Sequence, residues 1–275
     1  MLLKRILIGI LSAVIAAGGI FYGVTYRFFD KPFTQKAQEA FEEQISLPDN
    51  FILAASSDCY NDVKNTMQAV HDSVNSGAYA IELDVSFAQD STPYLAEGSD
   101  YITEVSVPLE KVFEKYAGEP SLRYVLHVMN FRTQEKLLAL AQQYDLLSRI
   151  LLTGFSREDL ELHAADYGAF PIAADLDVNF KDLHDVKQCR ELLSVYRNNG
   201  AGMLLTTADT VTPELQQAIL GFSVLPLAIR GVESKYDMYY ALSLNPRMII
   251  TDRPDTLYSI LFDGDHMNFE HYDTF

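Results

Sequence analysis

Eight short apolar runs, spaced so that a helical stretch fits between each pair, constrain this chain more than any other feature. They are Phe51–Ala55, Tyr79–Val85, Arg123–Met129, Ile150–Gly154, Phe170–Asp175, Ala201–Thr206, Ser223–Ile229 and Arg247–Thr251. Each has strand length, and the intervening stretches carry helix-start signals. Ser156-Arg157-Glu158-Asp159 has the form of a capping box, and Thr212-Pro213 puts proline at a first helical position. Strands alternating with helices form parallel sheets, and eight such units close into a barrel with its sites at the C-terminal strand ends. The predicted fold class is therefore α/β, a (β/α)₈ TIM barrel over residues 51–262. A chain of 275 residues, 48% hydrophobic, supplies one core of this size plus a short extension.

Within the second run, Ile81, Leu83 and Val85 share one face of the strand while Glu82 and Asp84 share the other. Two acids on one side of an otherwise apolar strand are costly if buried, unless a cation or a donor compensates. One reading is a divalent-metal site, with Ca²⁺ or Mg²⁺ held weakly by hard oxygen ligands. The other is a solvated edge strand bearing two incidental acids. Asp90 to Pro93 would turn a small hairpin above this strand.

The first 33 residues read differently. Lys4 and Arg5 precede an uncharged apolar run from Ile6 to Tyr26, and Arg27 and Lys31 follow it. Those 21 residues suffice to span a bilayer core as a single helix. Residues 1–33 are thus expected to be a transmembrane helix, making the chain a single-pass membrane protein with its barrel on the extracytoplasmic side. A signal peptide cleaved near Ala16-Ala17-Gly18 is the alternative, although Ile20, Phe21, Tyr22 and Val24 prolong the apolar run past that point. Residues 34–50 read as an amphipathic linker helix ending near Pro48, and 263–275 as an acidic tail. A net charge of −17 excludes nucleic-acid binding, which needs a basic patch. Cys59 and Cys189 form no metal-spaced cluster, and their placement argues against a disulfide.

Several of these motifs occur together in one known family. Ile52-Leu53-Ala54, Asn65-Thr66, Gly77-Ala78, Glu82-Leu83-Asp84-Val85, Asp90, Pro93-Tyr94-Leu95 and the distant Ile249-Ile250-Thr251-Asp252-Arg253-Pro254 follow one another in order. This sequence resembles the glycerophosphodiester phosphodiesterases over roughly residues 50–260. The resemblance implies a TIM barrel in which a metal ion held by three carboxylates works with two histidines, a general acid and a general base. Lipid metabolism and a phosphodiester or other small anionic ligand are implied with it.

The residues that carry this chemistry are largely substituted. Aligned on the motifs, the family's first histidine falls on Ala55, its arginine on Ser56 and its glycine on Ser57, while the second histidine falls on Glu97 and its aspartate on Gly98. The glutamate of Glu-Asn-Thr is Lys64. None of the six histidines lies in either loop. Glu82 and Asp84 match two metal ligands; apolar alternation puts His127 in the third position, though a two-residue slip would put Met129 there. His127 is either a ligand or a hydrogen-bonding partner that neutralises Glu82 or Asp84. Arg230, where the family carries a Trp-Thr-Val run, either clamps an anionic ligand together with Lys64 or pairs with the surrounding acids. Two expectations follow. One is a membrane-anchored barrel without catalysis that binds a ligand or partner at the old site. The other is an active phosphoric diester hydrolase with a divalent metal, in which Glu97 replaces a lost histidine as the base and His127 serves as ligand or acid.

Overall fold

The structure, a computed structural model, describes residues 47–262 apart from 49, 58, 60–62, 178–183 and 223–224. The predicted anchor, nearly all of the linker helix and the acidic tail lie outside the described residues. Among the described residues, no helix is long and apolar enough to cross a membrane.

The chain runs β1 (Ile52–Ala55), α1 (Met67–Val74), β2 (Ala80–Phe87), β3 (Pro93–Leu95), β4 (Val107–Pro108), α2 (Leu109–Tyr116), β5 (Arg123–Val128) and α3 (Glu135–Gln143). It continues with β6 (Ile150–Phe155), α4 (Arg157–His163), β7 (Ile172–Asp175), α5 (Val186–Asn198), β8 (Met203–Thr207), α6 (Pro213–Phe222), β9 (Leu227–Arg230), α7 (Lys235–Ser243), β10 (Met248–Thr251) and α8 (Pro254–Phe262). Strands β1, β10, β9, β8, β7, β6, β5 and β2 pair in that order, all parallel, and pairing of β1 with β2 closes the ring. This is the expected eight-stranded barrel. The short strands β3 and β4 leave it as an antiparallel ribbon on β2, with Val85 opposite Leu95 and Phe87 opposite Pro93.

Local chemistry starts the helices where the sequence placed them. Ser156 and Asp159 close a reciprocal capping box at α4, and Ser234 and Asp237 do the same at α7. The Thr66 hydroxyl accepts from the Ala69 amide to open α1, and the Thr212 hydroxyl accepts from the Leu215 amide at α6. The ribbon is tied down by Asn130, whose side-chain amide exchanges two hydrogen bonds with the Phe87 backbone at 2.7 and 3.0 Å.

The barrel interior is filled by alternate residues of the strands. Ile52, Ala54, Ala80, Val125, Leu151, Ala173, Met203, Leu205, Ala228, Met248 and Ile250 form one buried cluster. Small alanines face long methionines and leucines, so the centre is packed rather than hollow. The period of two then fixes what comes next on each strand. Two residues beyond Ala80 is Glu82; beyond Val125, His127; beyond Leu151, Thr153; beyond Ala173, Asp175; beyond Ala228, Arg230. A polar layer thus lies on the apolar one, at the C-terminal mouth.

One glycine sets the geometry of that layer. Gly154 has φ +87°, and a Cβ there would lie 2.5 Å from the Val128 carbonyl oxygen on the neighbouring strand. The register of β6 against β7 shifts between Leu152 and Phe155, a bulge that needs a residue without a side chain at this point.

Candidate functional site

A cavity of about 250 Å³ opens at the mouth, lined among others by Ser56, Ser57, Lys64, Glu82, Asp84, His127, Arg230, Glu233 and Asp252. The electrostatic centre is Arg230, at the end of β9. Its Nη2 lies 3.3 Å from Asp175 Oδ1, 3.5 Å from His127 Nδ1 and 3.8 Å from Glu82 Oε1. Groups from β7, β5 and β2 thus converge on one guanidinium nitrogen. Asp84, 9% exposed, accepts a hydrogen bond from the Ser57 hydroxyl at 3.2 Å.

His127 is held neutral. Burial, reinforced by the neighbouring Arg230 charge, pushes its pKa down to about 4. A guanidinium has only donors, so its approach to Nδ1 favours the tautomer that presents a lone pair there and carries the ring proton on Nε2. The Thr153 hydroxyl, 3.1 Å from the same Nδ1, then donates to it. Asp175 is shifted the other way, to about 6, because burial outweighs the Arg230 charge and a hydrogen bond from the Gly154 amide; Asp159 and Asp177 add to the rise.

No protein-family profile and no curated sequence matches the chain. Solved structures do. A glycerophosphodiester phosphodiesterase from Parabacteroides distasonis superposes with a TM-score of 0.61 at 13% identity, covering 78% of this chain and 98% of that one. One from Thermotoga maritima gives 0.61 at 12% identity, covering 76% and 98%. The fold is that of the glycerophosphodiester phosphodiesterases. An Oleispira antarctica phosphodiesterase, solved with its product sn-glycerol-3-phosphate, shares it with a TM-score of 0.59 at 12% identity, covering 81% and 98%.

Within this phosphodiesterase fold, the residues singled out in the sequence are partly brought together. Glu82, Asp84, His127, Arg230 and Lys64 all line the cavity. Glu97 is not among the lining residues; its side chain is 52% exposed and lies 4.0 Å from Lys64 Nζ. One placement needs correction, and one alternative closes. Ala54 belongs to the interior cluster, so alternation turns Ala55 to the opposite face of β1, where it is fully buried, and Ser56 and Ser57 are the residues that reach the cavity. The slip arises because motif spacing counts residues and not strand faces. Met129 lies past the end of β5 and is 36% exposed, so the inward position belongs to His127. Neither Glu82 nor Asp84 hydrogen-bonds His127 in the arrangement seen; the imidazole meets Thr153 and Arg230 instead.

The metal implied by the resemblance can be tested on these positions. Among the described residues, no three His, Cys, Asp or Glu side chains are grouped so as to hold a metal ion. A cationic side chain is already in contact with Glu82, Asp175 and His127, so the groups present do not fit a divalent ion.

The sequence alone singles out neither Asp175 nor Thr153 as a site residue. The available signal was the alternation in Ile172-Ala173-Ala174-Asp175, which puts an acid at the C-terminal end of a barrel strand. Cys59 and Cys189 are both buried free thiols.

Proposed function

We propose that this chain is a membrane-anchored, glycerophosphodiester phosphodiesterase-like barrel that binds a small polar ligand at its mouth and does not hydrolyse phosphodiesters. The observation that carries this reading is the state of His127. In-line displacement at phosphorus needs a group that donates a proton to the departing oxygen and another that takes one from the nucleophile. His127 is the one histidine lining the cavity among the described residues. With a pKa pushed down to about 4 it is unprotonated at neutral pH and cannot serve as an acid. Its Nδ1 lone pair faces Thr153 and Arg230 and is not available as a base.

The charges of the lining bear on the ligand. Glu82, Asp84, Glu233 and Asp252 outnumber Lys64 and Arg230. This balance disfavours a dianion more than a monoanion, and best suits a monoanion that also carries hydroxyl or amine donors for the acids. A monoanionic phosphodiester meets that description, whereas a phosphomonoester does not.

The test is hydrolysis of glycerophosphodiesters by the purified full chain at neutral pH with Ca²⁺, Mg²⁺, Mn²⁺ or Zn²⁺ supplied in turn. The expected rate is that of the buffer blank. Metal-dependent turnover that disappears in Glu82→Ala would overturn the reading and establish the active-hydrolase alternative. Binding is read separately by calorimetry, where a glycerophosphodiester should bind more tightly than the corresponding phosphomonoester.

A further inference from the structure

We propose that the Arg230 guanidinium is a built-in cation occupying the place of a divalent ion, and that removing it turns Glu82, Asp175 and His127 into a divalent-metal site. The inference deepens the functional reading above and rests on it only for taking the mouth as the site.

The way Arg230 makes its contacts carries the argument. Arginine usually engages a carboxylate through two parallel hydrogen bonds at about 2.7–2.9 Å. Here a single nitrogen, Nη2, stands 3.3 Å from Asp175, 3.5 Å from His127 and 3.8 Å from Glu82, and no carboxylate is held by two nitrogens. The Nε is buried without a hydrogen-bond partner. The side chain is therefore used as a point charge, not as a fork. Two carboxylates and one imidazole lone pair aimed at one positive centre make up a metal-binding donor set. The lone pair on His127 Nδ1, which the guanidinium orients toward itself, is the one a metal would take.

The distances show why the wild-type mouth excludes the ion. Metal ligands of these kinds lie about 2.0–2.2 Å from the metal, so the groups would need to close in by roughly 1 Å for Asp175 and up to roughly 1.8 Å for Glu82. The guanidinium both fills that space and repels a second cation. Once it is gone, two acids and an imidazole gain by contracting around a metal. A mixed nitrogen and oxygen donor set favours Mn²⁺ or Zn²⁺ over Ca²⁺. The acid named in the resemblance as the second ligand, Asp84, stays with Ser57, so this metal centre would use Asp175 from β7 in its place.

The experiment is Mn²⁺ binding by calorimetry to the purified full chain in detergent, with wild type, Arg230→Lys and Arg230→Gln compared. Wild type and Arg230→Lys, which both keep a positive charge at the site, should bind Mn²⁺ weakly and alike. Arg230→Gln should bind on the order of a hundredfold more tightly, because a like charge a few ångströms away has been removed. Adding Asp175→Asn or His127→Gln to Arg230→Gln should abolish the gain. An Arg230→Gln affinity within about threefold of wild type would overturn the proposal, as would a gain that survives both added substitutions. If Arg230→Gln yields no folded protein without metal, refolding with and without Mn²⁺ decides the question. Recovery with Mn²⁺ that is lost in Arg230→Gln/Asp175→Asn supports the proposal, and failure to recover with Mn²⁺ overturns it. Hydrolysis by wild type would defeat the functional reading while leaving this binding result standing, so the two failures are distinguishable.

Discussion

Replacing Gly154 by alanine probes whether the β6 bulge holds the polar layer in place. The residue sits at φ +87°, a conformation that costs an L-residue about 1–2 kcal/mol. The added Cβ would also lie 2.5 Å from the Val128 carbonyl oxygen and 3.0 Å from its nitrogen, both backbone atoms of β5. Backbone cannot rotate away as a flexible side chain can, so the two strands must separate by roughly 1 Å, an overpacking strain worth about 1–3 kcal/mol. Together these predict a loss of about 3 kcal/mol, or roughly 10 °C in Tm for a domain of this size. The same change disturbs the site, because the Gly154 amide donates to Asp175 and the adjacent Thr153 hydroxyl reaches His127 at 3.1 Å. The assay is thermal unfolding followed by circular dichroism, with Gly118→Ala as control, since nothing lies within 4 Å of a Cβ there. A Gly154→Ala Tm within about 2 °C of wild type would refute the account of the bulge.

Two other substitutions or treatments follow from single observations. The Tyr124 hydroxyl is buried against Phe113 without a hydrogen-bond partner, so Tyr124→Phe should leave stability unchanged or raise it by up to about 1 kcal/mol in urea unfolding; a clear loss would mean the hydroxyl has a partner in solution. The full chain should stay in the membrane fraction through carbonate washing, because the 21 residues from Ile6 to Tyr26 are expected to span the bilayer; a shorter, soluble chain would point to cleavage near Ala16-Ala17-Gly18 instead.

The barrel was legible because a strand–helix alternation repeated eight times is a local pattern, and each run predicted a strand within a few residues of the one observed. The polar layer was only partly legible. Glu82 and Asp84 stood out because two acids break an apolar strand, a departure visible within one segment. Asp175 did not, since one acid at a strand end resembles any helix approach. Arg230 was recognisable as a cation, but its partners were not, for they lie on strands two, three and four places away around the ring. Ala55 was misplaced for a related reason. Spacing along the chain aligned it with a catalytic position, whereas the face it occupies is decided by pairing of Ala54 with Ala80.

The opposite shifts of Asp175 and His127 give the mouth a pH behaviour that neither residue alone would show. Asp175 has a folded pKa of about 6 against an ordinary value of 3.8, so between those limits the folded state holds the extra proton and stability falls as pH rises. His127 has a folded pKa of about 4 against 6.5, so over nearly the same window the unfolded state holds the extra proton and stability rises with pH. The two slopes oppose each other from about pH 4 to 6, and the site contributes little net pH dependence while both groups are present. Removing one uncovers the other. Relative to wild type, Asp175→Asn should lose stability steadily on acidification from about pH 6 to 4, and His127→Gln should gain it over the same range. Urea unfolding at a series of pH values measures both, with the wild-type curve subtracted to cancel the remaining carboxylates. Difference curves that are flat for both variants would mean that burial does not shift these two groups as described, and the electrostatic picture of the mouth would fall with them.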